Sequence, residues 1–170
     1  LFQNNGESSP SFTEEVITLL SNQSVSAFIC ADVNGDGEQD IIAAHNSDLS
    51  WFENSGSLTF NHHLIAPDDY GRGHVESLFA TDIDQDGDID ILDTGNINGS
   101  GDINAISLFI NDGNTNPSFD ERIIASTAGG AYSIFAEDMD SDGDPDIVAS
   151  FKEPDTIVWF ENDGSGNPLF

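Results

Sequence analysis

Apolar residues along the chain gather in short clusters separated by Gly, Asn, Asp and Pro, the pattern of strands joined by turns. No stretch keeps apolar residues at helical spacing between capping residues, so very little helix is expected. The expected strands come in sets of four. The first of a set is Ala27–Ala31, Ser77–Thr81 or Ser133–Glu137, and the second is Asp40–Ala44, Asp90–Thr94 or Asp146–Ser150. The third carries SWFEN, SLFIN or VWFEN, ending at Asn54, Asn111 and Asn162. The fourth is a Phe…Ile stretch, Phe60–Ile65 or Phe119–Ile124, with an earlier copy at Phe12–Ile17.

Between first and second strands lie three segments that superimpose without gaps: ADVNGDGEQDII (Ala31–Ile42), TDIDQDGDIDIL (Thr81–Leu92) and EDMDSDGDPDIV (Glu137–Val148). Four antiparallel strands recurring at roughly 50 residues fit the blade of a β-propeller better than a sandwich. The expectation is an all-β chain of about three such repeats, part of a larger or assembled propeller. Its divisions are a partial blade at 1–20, blades at 21–66 and 67–125, and a partial blade at 126–170. Leu1-Phe2 aligns with Trp51-Phe52, so the chain is expected to start in a third strand and to stop where a fourth should begin. That makes it either a fragment of a longer propeller or a unit that assembles.

Residue choice within the repeat orders the blade. Cys30, Ala80 and Ala136 place small residues on the first strand, as suits the crowded position nearest an axis, and Cys30 is expected to be buried there. The fourth strand carries Glu14, Glu15, His62, His63, Glu121 and Arg122, the marks of a solvated outer edge that resists further pairing. Trp51 and Trp159 have matching neighbours on repeated strands. Packing between blades therefore suits them better than a sugar-stacking platform.

Charge changes the picture. The chain carries 32 Asp and Glu against three basic residues, a formal net charge of −29, with 37% hydrophobic residues. The apolar content is that of a folded domain. The charge excludes nucleic acid and anionic membrane surfaces as partners, because like charge repels at long range. Self-repulsion also opposes compaction unless cations relieve it. No apolar run is long enough for a membrane helix, and the lone Cys30 allows no internal disulfide.

The acids are placed to receive such cations. Each loop reads D-x-[DN]-x-D-G-x-x-D. A hard cation such as Ca²⁺ takes six to eight oxygens, and alternating acids in a tight loop supply them. The side-chain ligands would be Asp32, Asn34, Asp36 and Asp40; Asp82, Asp84, Asp86 and Asp90; and Asp138, Asp140, Asp142 and Asp146. Glu38, Asp88 and Asp144 would contribute backbone carbonyls, while Gly37, Gly87 and Gly143 permit the sharp turn. About three Ca²⁺ are expected, one per loop, with the first site weakened by Asn34 in place of an acid. Solvated hairpin turns would explain one such loop, but not three in register. The first half of the loop is that of an EF-hand; its flanks are strands, and its twelfth position is Ala43, Asp93 or Ala149. In spacing and context it resembles the FG-GAP or VCBS repeats of integrin α chains and many secreted bacterial proteins. That resemblance covers essentially the whole chain. It implies structural calcium in each blade and an extracellular or cell-surface setting.

No GxSxG, HExxH or phosphate-binding glycine loop is present, and the matched acids are committed to cation binding, so an enzyme is not expected. Three function classes remain. One is a binding module for adhesion, with an extracellular protein or glycan ligand. Another is a self-assembling fibre subunit joined by strand exchange between termini, and the third is the non-catalytic part of a secreted enzyme. The middle repeat has the longest connection between second and third strands, near Asn96–Asn104. The segment before its first strand holds Asp68, Asp69, Tyr70, Arg72 and His74. A ligand site, if present, is expected there, on Tyr70, Arg72 and His74. Asn22 and Asn98 head glycosylation sequons.

Overall fold

The computed structural model describes residues 2–14, 16–17, 23–57, 59–67, 74–96, 104–127 and 130–170. Every regular element in them is a strand. The chain runs β1 (Phe2–Asn4), β2 (Phe12–Glu14), β3 (Val25–Ala31), β4 (Asp40–His45), β5 (Asp48–Asn54) and β6 (Phe60–Ala66). It continues β7 (Val75–Thr81), β8 (Asp90–Asn96), β9 (Asn104–Asn111), β10 (Phe119–Thr127), β11 (Ala131–Glu137), β12 (Asp146–Phe151) and β13 (Thr156–Phe160). The strands form antiparallel meanders: β3-β4-β5-β6 is the first blade, β7-β8-β9-β10 the second, and β11-β12-β13 the third.

The fragment β1–β2 repeats the outer half of a blade. Asn4 pairs with Phe12 as Asn54 pairs with Phe60 and Asn111 with Phe119. A Phe-to-Asn rung at the mouth of the third and fourth strands is thus one landmark seen three times. First strands begin two residues earlier than the sequence pattern indicates. Each crosses an irregularity in register, between Val25 and Ala27, Val75 and Ser77, and Ala131 and Ser133. A bulge there bends the inner strand and adds local twist.

Blades stack through their faces, and their first strands approach most closely: β3 beside β7, β7 beside β11. This is the arrangement expected of strands nearest a propeller axis. Alternation along each strand sends one set of side chains to the preceding blade and the other to the following one. Ile42, Ala44, Leu49 and Trp51 of the first blade meet Val75, Leu78, Ile91 and Phe109 of the second. In turn Ile83, Leu92, Ile106 and Leu108 of the second meet Ala131, Ile134, Ile147 and Phe151 of the third. These two apolar layers are the core, and Trp51 belongs to one of them, as its repeated setting indicates. The stack does not close into a ring.

Its ends show what an uncovered blade looks like. Phe28 is 68% exposed at the first, and Phe135, Met139, Ile157 and Trp159 are exposed at the third. Cys30 is exposed too, against the expectation of burial. It lies two residues from Phe28 on the face of β3 turned away from the second blade, so strand position alone does not bury it. The outer-edge histidines are engaged. His63 stacks on Trp51 with ring centroids 4.4 Å apart and meets the Glu53 carboxylate at 3.0 Å. His62 stacks on Phe52 and hydrogen-bonds Ser50, as does the buried His45.

Candidate metal centres

All three acidic loops leave an inner strand and return into the second strand of the same blade. Two left-handed residues make each reversal tight. One is the glycine at the sixth position, with φ of 90°, 101° and 103° at Gly37, Gly87 and Gly143. The other is the fourth position, with φ of 70°, 59° and 68° at Gly35, Gln85 and Ser141. A left-handed residue is unremarkable for glycine and costs the other two conformational energy.

Side chains then wrap inward onto the loop's own amides. Asp32 accepts from the N–H groups of Asp36 and Gly37 at 3.0 and 2.9 Å, and Asp82 from Asp86 and Gly87 at 3.0 Å each. Asp138 accepts from Ser141 at 2.7 Å and Gly143 at 3.1 Å. At the fifth position Asp36, Asp86 and Asp142 accept from Glu38, Asp88 and Asp144. Asn34, Asp84 and Asp140 accept from the N–H two residues on. This leaves lone pairs free, since a carboxylate has about four acceptor positions.

The ninth acid is the buried floor. Asp40, Asp90 and Asp146 have essentially no exposure. One oxygen of each accepts from the second residue of its loop, Val33, Ile83 or Met139. The other accepts from the Asn that ends the third strand, Asn54, Asn111 or Asn162, at 2.8 Å in every blade. Two of those asparagines also join blades. Asn111 donates its amide to the Val33 carbonyl of the preceding loop, and Asn162 donates to that of Ile83. Sequence reasoning marked them as landmarks and missed the role; the recurrent Asn-x-Gly at the strand end was the available signal.

Asp82, Asp84 and Asp86 present oxygens all within 4.8 Å of one another, as do Asp138, Asp140 and Asp146. Asp90 is near enough to the first cluster to feel the charges of Asp84 and Asp86, and Asp142 belongs to the same loop as the second. No such group forms in the first loop among the described residues. There the Asn34 amide donates to Asp36 and Glu53 at 3.3 and 3.5 Å, placing an N–H donor among the oxygens. At the seventh position, the Asp88 and Asp144 side chains pack against Gly113 and Gly164, where any Cβ would collide with them. His74 is exposed, 3.4 Å from Glu76. Tyr70 and Arg72 lie outside the described residues, as do Asn22, Asn98 and most of the long connection.

Electrostatics shows the cost of assembling these acids. Burial pushes Asp90 up to about 7 despite hydrogen bonds from Asn111 and Ile83, and the charges of Asp84 and Asp86 push the same way. Asp40 is raised by burial. Asp84 is raised by burial and then by Asp86 and Asp82. Asp140 and Asp144 are raised by loss of solvent and by neighbouring carboxylates. A divalent cation among the oxygens reverses each of these penalties. Hard oxygen donors without imidazole or thiolate suit Ca²⁺ in preference to softer metals.

The FG-GAP-like repeat family matches residues 32–92 and 96–149, which between them take in all three acidic loops. The chain belongs to this FG-GAP-like repeat family. No curated protein matches it. As an FG-GAP-like protein it is a propeller-type module with two Asp clusters able to take a metal, and repeats of this family often bind calcium and are typically extracellular. Its donor sets fit that ion.

Proposed function

We propose that this chain is a calcium-stabilised FG-GAP propeller module working outside the cell as a binding or scaffold unit and not as an enzyme. The observation that carries the reading is the closing of Asp82, Asp84 and Asp86 to within 4.8 Å, with the buried Asp90 in the same loop feeling the charges of Asp84 and Asp86. In the second loop Asp82, Asp84, Asp86 and Asp90 would hold the ion with the Asp88 carbonyl. Asp138, Asp140, Asp142, Asp146 and the Asp144 carbonyl would do so in the third. Asp32, Asn34, Asp36, Asp40 and the Glu38 carbonyl form the weaker first set. Bound calcium would supply charge neutralisation and fix the hairpin between inner strands, so its role is structural. An extracellular protein or glycan is the proposed ligand. No helix among the described residues is long and apolar enough to cross a membrane.

Calorimetric titration of the metal-free chain with calcium tests the reading. Saturable binding of about three ions is expected, two of them tighter than the third; no heat of binding would refute the calcium assignment.

A second reading, assembly of copies end to end, draws on the uncovered faces. Phe135, Met139, Ile157 and Trp159 occupy the positions that Phe79, Ile83, Ile106 and Leu108 fill against the third blade. A blade like the second would fit that surface. Sedimentation velocity in calcium separates the readings, since assembly requires a sedimentation coefficient that rises with protein concentration.

A further inference from the structure

We infer that the second and third acidic loops take up calcium as a coupled pair, and that Gln85 is the positioning residue that couples them. The inference rests on the calcium reading above and adds to it a rule for how the sites communicate.

Gln85 sits between Asp84 and Asp86, the third and fifth positions of the second loop, in a left-handed conformation with φ of 59°. Its side-chain amide leaves its own blade. It donates to the Gly143 carbonyl at 2.6 Å and to Asp144 Oδ1 at 2.9 Å. Both acceptors belong to the third loop, and Asp144 is the residue whose backbone carbonyl would face the ion there. The Asp144 carboxylate is thus held from two sides, by Gln85 of the second blade and by the close approach of Gly164 in its own.

A cation in the second loop would draw in Asp84 and Asp86 and so fix the backbone that carries Gln85. An ordered Gln85 holds the Gly143–Asp144 peptide in one orientation. The third loop then has less ordering left to do when its own ion arrives, which is positive cooperativity through shared rigidity. By linkage the effect is reciprocal. A second strut runs in parallel, because Asn162 bonds the Ile83 carbonyl of the second loop and the Asp146 carboxylate of the third.

The junction between first and second loops supplies an internal control. Asn111 bridges it in the same way as Asn162, to Val33 and Asp90. Its fourth position is Gly35, which has no side chain to extend. Coupling should therefore be strong between the second and third loops and weak between the first and second.

The test uses calcium titration of the whole chain in an Asp36→Asn background, which disables the first site and leaves two. The second ion should bind about fivefold more tightly than independent identical sites allow, within the range of ordinary coupling. Adding Gln85→Ala should lower that ratio to below about twofold, the weak coupling left to the Asn162 strut, while leaving two ions bound. Gln85 is exposed, so its truncation leaves the core intact, and far-UV circular dichroism checks the fold. Two independent ions before the Gln85 change, or cooperativity undiminished by it, would overturn the coupling and leave the calcium reading standing. No binding by the folded protein would overturn both.

Discussion

Trp51 and Trp159 stand at the same point of one repeat, each on the third strand of its blade, paired across to Ile42 and Val148. Trp51 is 1% exposed and Trp159 is 47% exposed. Residue, strand and register agree, so none of them explains the difference. The second blade lies against the Trp51 face and His63 of the fourth strand stacks on its ring; among the described residues Trp159 has neither a following blade nor a fourth strand beside it. The loops of the same two blades differ for the opposite reason. The third loop gathers three acids and the first does not, because Asn34 replaces the acid found at Asp140. Strand burial in this fold is decided by neighbouring strands and blades, whereas the number of acids a loop can gather is written in the loop's own sequence.

The largest expected effect separates the tryptophans. Trp51→Ala should cost about 3–5 kcal/mol, the usual range for deleting a buried aromatic side chain. Trp159→Ala should cost less than about 1 kcal/mol. Urea unfolding in calcium measures both, and equal losses would break the comparison. A variant that removes a face without disturbing its strand also tells whether a blade folds alone or only against its neighbour.

Next in size is the pH dependence of the metal-free protein. Asp90 has a folded-state pKa of about 7 against an ordinary 3.8. A raised carboxyl pKa contributes stability that is complete below the ordinary value and lost as pH climbs through 7. Metal-free protein should accordingly gain on the order of 1–2 kcal/mol from this group between pH 8 and pH 5, after allowance for screening. In saturating calcium the direction reverses, since protons then compete with the ion. Asp90→Asn should remove most of the metal-free gain; an unchanged pH profile would show that the buried carboxyl is not its source.

The smallest effect sharpens the loop half of the comparison. Asn34→Asp makes the first loop like the other two and takes away the amide that now bonds Asp36 and Glu53. Calcium affinity at that site should rise about 3- to 10-fold, while the metal-free protein becomes slightly less stable. A titration that leaves the weakest site where it was would show that Asn34 does not set it.

How much of this was legible beforehand follows the same division. The four-strand unit and the acidic loops could be read from the repeat, because matched residues at matched offsets are local information; packing between blades, expected of Trp51 and Trp159 alike, holds for Trp51 and not for the exposed Trp159. Cys30 was misplaced because its burial depends on a blade, not on its strand. The asparagine bridges from Asn111 to Val33 and from Asn162 to Ile83 span 78 and 79 residues, a separation at which sequence spacing carries no signal. Gln85 gave none either, since an exposed loop residue reveals its partner only when the blades are stacked. The ligand site expected at Tyr70, Arg72 and His74 has a single described member, His74.

Thermal unfolding of the chain in millimolar calcium and in excess EGTA tests the central claim most directly. If the three loops hold calcium as structural struts, each occupied site adds stability by mass action. The melting temperature should then fall by ~10 °C or more when the ion is removed, with restoration on adding calcium back. Coincident melts in calcium and EGTA would mean that the acidic loops stand without a cation, and the calcium assignment would fail.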